Sequence, residues 1–215
     1  MKNLEKLEKN AEISLIIDFE TPALNYRRLK GGGFGQSVAR ACGLKANKNL
    51  NIIDATAGLG EDGFLLASLG ANVFLIERHP VVANALERAI DKSLDSADLA
   101  LREIALRMKV YPGSAFDWIP KLADFFNKNN LIMDVIYLDP MFPVRKKTAL
   151  VKQEMRVLKT LVGEDLDADE LLALARKFAK KVVVKRPKNA PYLGGVMTKD
   201  QIVGARNRFD LYKGV

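Results

Sequence analysis

The chain has one cysteine and one histidine in 215 residues. A lone Cys42 excludes an intramolecular disulfide framework and fits a reducing compartment. With His79 as the single imidazole, a Cys/His zinc centre is excluded too, and no metal is expected. Long apolar runs are also missing, and none approaches the length of a membrane span. The opening "MKNLEKLEKNAEISL" alternates charge with apolar residues where a secretory signal needs a continuous apolar stretch. These absences predict a cytoplasmic protein with no membrane partner. Acids are in deficit, 26 Asp and Glu against 34 Lys and Arg, giving a formal charge of +8. Such a balance favours a polyanionic partner, although a solvated surface explains it equally well unless the charges cluster.

What is present is an alternation of strand and helix patterns. "NIID", "NVFLIE", "MKVYPG", "MDVIYLDP" and "KKVVVKRP" read as buried strands. Between them lie helices through "FLLASLG", from Pro80 towards Met108 with a break near Ser96, and through "FDWIPKLADFFNK". A further helix, capped by Asp167, places Leu171, Ala175 and Phe178 on one face. The tail "QIVGARNRFDLYKG" reads as two strands turning around Ala205–Asn207. The sum is an α/β, Rossmann-like fold: a mainly parallel, seven-stranded, doubly wound sheet with an antiparallel edge. Residues 1–45 break the alternation and read as a small N-terminal extension ahead of a domain spanning 46–215.

The first strand ends in Asp54, and Gly58-Leu59-Gly60-Glu61-Asp62-Gly63 then spells G-x-G-x-x-G. That spacing is the dinucleotide fingerprint. In a dinucleotide site, however, the first glycine follows the strand almost at once, so that a pyrophosphate reaches the helix N-terminus. Here Ala55-Thr56-Ala57 intervene, and the strand ends in an anion that would repel a pyrophosphate. S-adenosylmethionine (SAM) has no phosphate and carries an ammonium that a carboxylate stabilises, while glycines admit the ligand close to the backbone. The stretch resembles motif I of class I SAM-dependent methyltransferases. Glu77, ending the second strand, stands where an acid accepts hydrogen bonds from ribose hydroxyls. Ser114 and Ala115, after the third strand, are placed for the adenine edge.

"YLDPMFP" closes the fourth strand, and Asp139-Pro140-Met141-Phe142 resembles the [DN]-P-P-[YF] motif of methyltransferases acting on exocyclic base amines. Such an amine is a poor nucleophile because its lone pair is delocalised into the ring. Asp139 and the Pro140 carbonyl accepting its two N–H groups would turn the lone pair towards a methyl donor. Phe142 can stack on a flipped base. Arg145, Lys146, Lys147, Lys152 and Arg156 follow at once, and with Lys159 they face a single acid, Glu154. A phosphate backbone explains that cluster better than a small substrate does. Arg27, Arg28 and Lys30 form a second basic stretch before Gly31-Gly32-Gly33, which reads as a hinge or as backbone approaching a ligand. Lys185 and Arg186 are placed either to face substrate or to be solvated.

The stretches "YRRLKGGGFG", "DATAGLGEDGFLLASLG", "ERHPVVA", "YLDPMFP", "ALVKQEMRVLKTLVGEDLDADELL", "VVVKRP" and "RFDLYKG" together resemble the family of ribosomal small-subunit methyltransferase J. The resemblance implies methylation of guanine N2 at one site near the 3′ end of 16S rRNA, so that the partner is that rRNA or the small ribosomal subunit. It implies SAM contacts at Glu61-Asp62, Glu77-Arg78, Ser114-Ala115 and Asp139, with Glu61 standing where many relatives have Arg and acting through its backbone. The residues alone leave alternatives: an amino-methyltransferase on another RNA or DNA base, an NAD(P)-dependent oxidoreductase, or an RNA-binding module without catalysis. Oligomeric state is not legible.

Overall fold

Near-continuous burial along the central strands decides the architecture. The structure, a computed structural model, describes residues 15–45, 49–141 and 165–215. Strands β1 (Asn51–Asp54), β2 (Asn72–Glu77), β3 (Met108–Pro112), β4 (Val135–Leu138) and β5 (Lys181–Pro187) run parallel. Strands β6 (Gln201–Val203) and β7 (Asn207–Lys213) complete a seven-stranded sheet of order β3-β2-β1-β4-β5-β7-β6. The terminal hairpin pairs antiparallel with β5 through β7, as the tail pattern predicts.

The central strands β1, β2, β4 and β5 are buried on both faces, as a sheet covered by helices on both sides requires. Ile52, Val73, Leu75, Val135, Tyr137 and Val183 face one layer; Ile53, Ile76, Ile136, Leu138, Val182 and Val184 face the other. The first layer contains α3 (Glu61–Ser68), α4 (Pro80–Leu94) and α5 (Leu99–Ala105). The expected break near Ser96 falls between α4 and α5, where the Asp98 carboxylate accepts from the Ala100 N–H at 2.9 Å and caps α5. The second layer holds α6 (Ala115–Lys128) and α7 (Ala168–Phe178).

Residues 15–45 contribute a set of apolar side chains to the first layer, while Ile16, Tyr26 and Leu29 stay exposed. Leu15, Phe19, Val38 and Cys42 are almost fully enclosed, and the Phe19 ring stacks on Phe64 of α3 with centroids 4.8 Å apart. This segment carries α1 (Pro22–Lys30) and α2 (Ser37–Cys42), joined through the Gly31–Gly35 turn. It therefore shares a core with the sheet, and its turn reaches the carboxyl edge of the strands.

The glycines of the β1–α3 connection have separate causes. Gly60 sits in the left-handed region with φ 71°, and a β-carbon there would lie 2.7 Å from Leu86 Cδ2. Gly63, one turn into α3, would place a β-carbon 2.5 Å from Leu75 Cδ2, so its absence lets the helix lie down on β2. Gly60→Ala is expected to lower unfolding stability by about 2–4 kcal/mol, combining left-handed strain with overpacking against a closed core. A urea midpoint equal to that of the wild type would show that the core yields and that this account of Gly60 is wrong.

Candidate active site

The strand order reverses between β1 and β4, and the carboxyl ends at that switch point open into a cavity of about 820 Å³. Asp54 ends β1, Glu77 ends β2 and Asp139 follows β4, so three separate strand ends deliver acids to one space. Gly58, Gly60, Glu61 and Asp62 line the same wall from the β1–α3 connection and the first turn of α3. Arg78, Ser114, Ala115 and Pro140 line it from the β2, β3 and β4 ends. The structure thus brings together every predicted cofactor-site residue and two of the three predicted catalytic ones. Phe142 and the basic residues Arg145, Lys146, Lys147, Lys152 and Arg156 lie outside the described residues.

Glu77 organises the glycine loop. One carboxylate oxygen accepts from the Gly58 N–H at 2.8 Å and the other from the His79 N–H at 2.7 Å. Gly58 has φ 53°, which turns its N–H towards this acid at a backbone geometry that favours glycine. Burial pushes the Glu77 carboxyl above the usual range, and the two backbone donors oppose that rise. Each oxygen keeps a further lone pair, so Glu77 can hold the loop and still accept from a ligand hydroxyl.

Asp54 is the most enclosed of the three strand-end acids, 2 % exposed. Burial pushes its carboxyl up to about 8; the Thr56 N–H, 3.2 Å away, opposes this, and the carboxylates of Asp62 and Asp139 add to it. It is a buried acid that a ligand cation would ionise.

Asp62 behaves oppositely. Burial acts upward on it, but Lys185 and Arg27 together outweigh burial and bring the carboxyl down to about 2. Arg27 Nη2 donates to Oδ1 at 2.7 Å; Lys185 Nζ and the Tyr137 hydroxyl donate to Oδ2 at 2.7 and 2.8 Å. Its side chain thus takes three protein donors, two of them on Oδ2. Lys185 Nζ also donates to Asp139 Oδ2 at 2.7 Å. The Asp139 backbone N–H donates to Thr56 Oγ1 at 2.6 Å, which ties the turn after β4 to the loop after β1.

Other residues take roles their sequence patterns did not show. Arg78 pairs with Asp165 and Asp167. Asp167 therefore stands at the N-cap of α7 without a side-chain capping bond, where the sequence predicts one. Asp165 also accepts from the Met141 N–H at 2.6 Å. Ser114 caps α6, accepting from the Phe116 N–H at 3.2 Å. Arg28 pairs with Asp98, so the "YRRLK" stretch spends two of its cations inside the protein. Cys42 is buried with its thiol pushed far above the ordinary range, which leaves it no role as a nucleophile. Among the described residues no group of acids, His and Cys is arranged to hold a metal, and no helix is long and apolar enough to cross a membrane.

The donor set fits SAM. Two buried carboxylates face the cavity where a cationic amino acid end and a ribose diol need acceptors, and the left-handed glycines leave the loop bare. A pyrophosphate would meet the same carboxylates as repulsion. The comparisons with known proteins agree. The family model for SAM-dependent methyltransferases matches residues 2–214. The chain is 46% identical over 211 residues to the ribosomal RNA small subunit methyltransferase J of Shewanella denitrificans, covering 98% of this chain and 82% of that protein. The same enzyme of Shewanella oneidensis is 49% identical over 201 residues, 92% of this chain and 77% of the relative. Among solved structures, a SAM-dependent methyltransferase of Neisseria gonorrhoeae superposes with a TM-score of 0.71 at 38% identity, covering 93% of this chain and 74% of the other. SAM, rather than a nicotinamide dinucleotide, is therefore the cofactor. The chain belongs to the SAM-dependent methyltransferase family that includes the ribosomal RNA small subunit methyltransferases J.

Proposed function

We propose that the chain transfers a methyl group from SAM to the exocyclic N2 amine of one guanine in 16S rRNA, in the cytoplasm. One observation carries the reading: Asp139-Pro140 opens onto the same cavity as the glycine loop and Glu77, so an amine-binding turn and a nucleoside-binding loop share one space. The relatives named ribosomal RNA small subunit methyltransferase J support rRNA as the substrate class. When bound, SAM supplies a sulfonium-held methyl: the amine lone pair forms the N–C bond, the C–S pair leaves with sulfur, and one amine proton is released.

The chain's residues orient the reactants and remove that proton. Asp54 stabilises the ammonium of the cofactor, and Glu77 takes the ribose hydroxyls while holding Gly58. Ser114 and Ala115 border the adenine. Asp139 and the Pro140 carbonyl accept the amine N–H groups, which turns the nitrogen lone pair towards the methyl. Asp139 then receives the proton released by the amine and passes it to water. Phe142 stacks on the flipped base, and Arg145, Lys146, Lys147, Lys152 and Arg156 take the phosphate backbone.

Three outcomes test this reading. Asp139→Ala is expected to bind S-adenosylhomocysteine within a few-fold of the wild type while losing methyl transfer to undermodified 16S rRNA by at least roughly 100-fold. The methylated nucleotide is mapped in the wild-type product, and turnover at wild-type rate in the variant would remove Asp139 from the chemistry. Asp54 sits near 8 without ligand, and an ammonium favours its ionised form. Cofactor binding must then release a proton below that pH, so affinity is expected to climb from pH 6 to pH 8. Calorimetry of S-adenosylhomocysteine across that range reads it, and the same climb in Asp54→Asn would place the proton elsewhere. Neutralising Lys146, Lys147 and Lys152 together is expected to flatten the dependence of log K for RNA on log salt by roughly two to three. An unaltered slope in a filter-binding titration would take the phosphate contacts away from this cluster.

A further inference from the structure

Lys185 is the one side chain that touches both Asp62 and Asp139 among the described residues, at 2.7 Å to each. Its position follows from the sheet register. Val184 pairs with Leu138 in the parallel β4–β5 ladder, so the next residue along each strand, Lys185 and Asp139, emerge side by side at the carboxyl edge. On its other side β7 sets Phe209 opposite Lys185, leaving the ammonium to turn towards the cavity. Burial alone would drive Lys185 towards its neutral form, but the two carboxylates outweigh burial and hold it as a cation.

The contact continues along the cavity wall. Asp62 is gripped by Arg27 of α1 and by the Tyr137 hydroxyl, and Arg27 Nε in turn donates to the Gln36 side chain at 3.4 Å. Arg27, Asp62, Lys185 and Asp139 form a chain of alternating charge whose links are each 2.7 Å. One end is anchored in the N-terminal helical segment and the other is the acid beside the substrate amine. Asp139 is the least enclosed member of the buried carboxylate pair, its side chain 39% exposed against 11% for Asp62. It needs a fixed orientation that its own surroundings do not supply.

We infer that Lys185 is the positioning residue of the catalytic carboxylate: it pins Asp139 Oδ2 and leaves Oδ1 for the substrate amine. The inference rests on the reading of Asp139 given above. The charged and titratable groups that face Asp139 are Lys185 from β5, Asp62 from α3, Asp54 from β1, Tyr137 from β4 and Asp165 ahead of α7. Lys185 is the cation in that set, and the carboxylates oppose it. Enclosure raises the Asp139 carboxyl above its usual range, Lys185 lowers it, and Asp62 and Asp165 raise it again. The active form has Asp139 ionised, so activity falls as pH drops through its titration.

Two substitutions move that titration in opposite directions. Lys185→Met removes the cation, so the acidic limb of the kcat/KM profile is expected to move up by about one to two pH units. At neutral pH kcat falls by roughly 100-fold through misplacement of the acid, with KM for SAM within a few-fold of the wild type. Asp62→Asn removes a like charge and keeps an acceptor for Arg27, so the limb is expected to move down. Lys185→Arg retains the charge and is expected to return the limb to its wild-type position with only part of the rate. A structural role for Lys185 would lower the melting temperature and leave the limb of both variants in place, and that result overturns the inference. If Lys185→Met does not fold, the direction of the Asp62→Asn shift decides alone, and a limb that stays put refutes the charge chain. Asp139→Ala run alongside separates the two readings. Full turnover there removes the acid itself, whereas lost turnover there with an unshifted Lys185→Met limb removes only Lys185.

Discussion

Asp54, Asp62 and Asp139 bring their carboxylates to one cavity wall, and their mutual repulsion is the constraint that the cations around them answer. At an effective dielectric of about 20, two like charges roughly 4 Å apart repel by about 4 kcal/mol. That approaches the whole net stability of a small domain, so several buried anions cannot remain ionised together without cations between them. The structure resolves the conflict unequally. Asp62 is ionised, with Lys185 and Arg27 on it. Asp54 touches neither, Lys185 acts on it only through space, and burial pushes it up to about 8. The protein's own cations ionise one acid, and burial raises the other.

The sheet alternation was legible because buried strands bounded by glycine, proline and polar turns carry their signal locally. The acids at strand ends were legible for the same reason: Asp54, Glu77 and Asp139 each close an apolar run, and doubly wound topology sends such positions to a common edge. The cations that make the edge workable were not. Lys185 lies 123 residues from Asp62 and 46 from Asp139, and Arg27 lies 35 from Asp62. No spacing rule links such positions. Only the strand order, which places β5 beside β4, turns Lys185 from an ordinary strand-end lysine into a neighbour of the Asp139-Pro140 turn.

Composition misleads for a related reason. Arg27 and Arg28 read as part of a basic surface, yet each meets a carboxylate, Asp62 and Asp98. A charge count sees the cation and not its partner. The opening segment is a second case. Its broken alternation reads as an extension, while Phe19, Leu24 and Val38 are buried in the same cluster as Leu75 and Leu86. Apolar residues scattered through a polar stretch have no periodicity to announce them; their burial follows from the surface that α3 and α4 leave uncovered.

That packing gives the N-terminal segment a consequence for chemistry. Arg27 belongs to α1, and α1 is held by Leu24 in the core and by the Thr21 cap at its start. Its guanidinium is one of the two cations that ionise Asp62, and ionised Asp62 is what competes with Asp139 for Lys185. A shift of α1 away from α3 would release Asp62 from Arg27, raise its proton affinity, and leave Lys185 as the cation shared by Asp62 and Asp139. The electrostatics of the acid that follows β4 are therefore set partly by how a helix from the first fifth of the chain is docked.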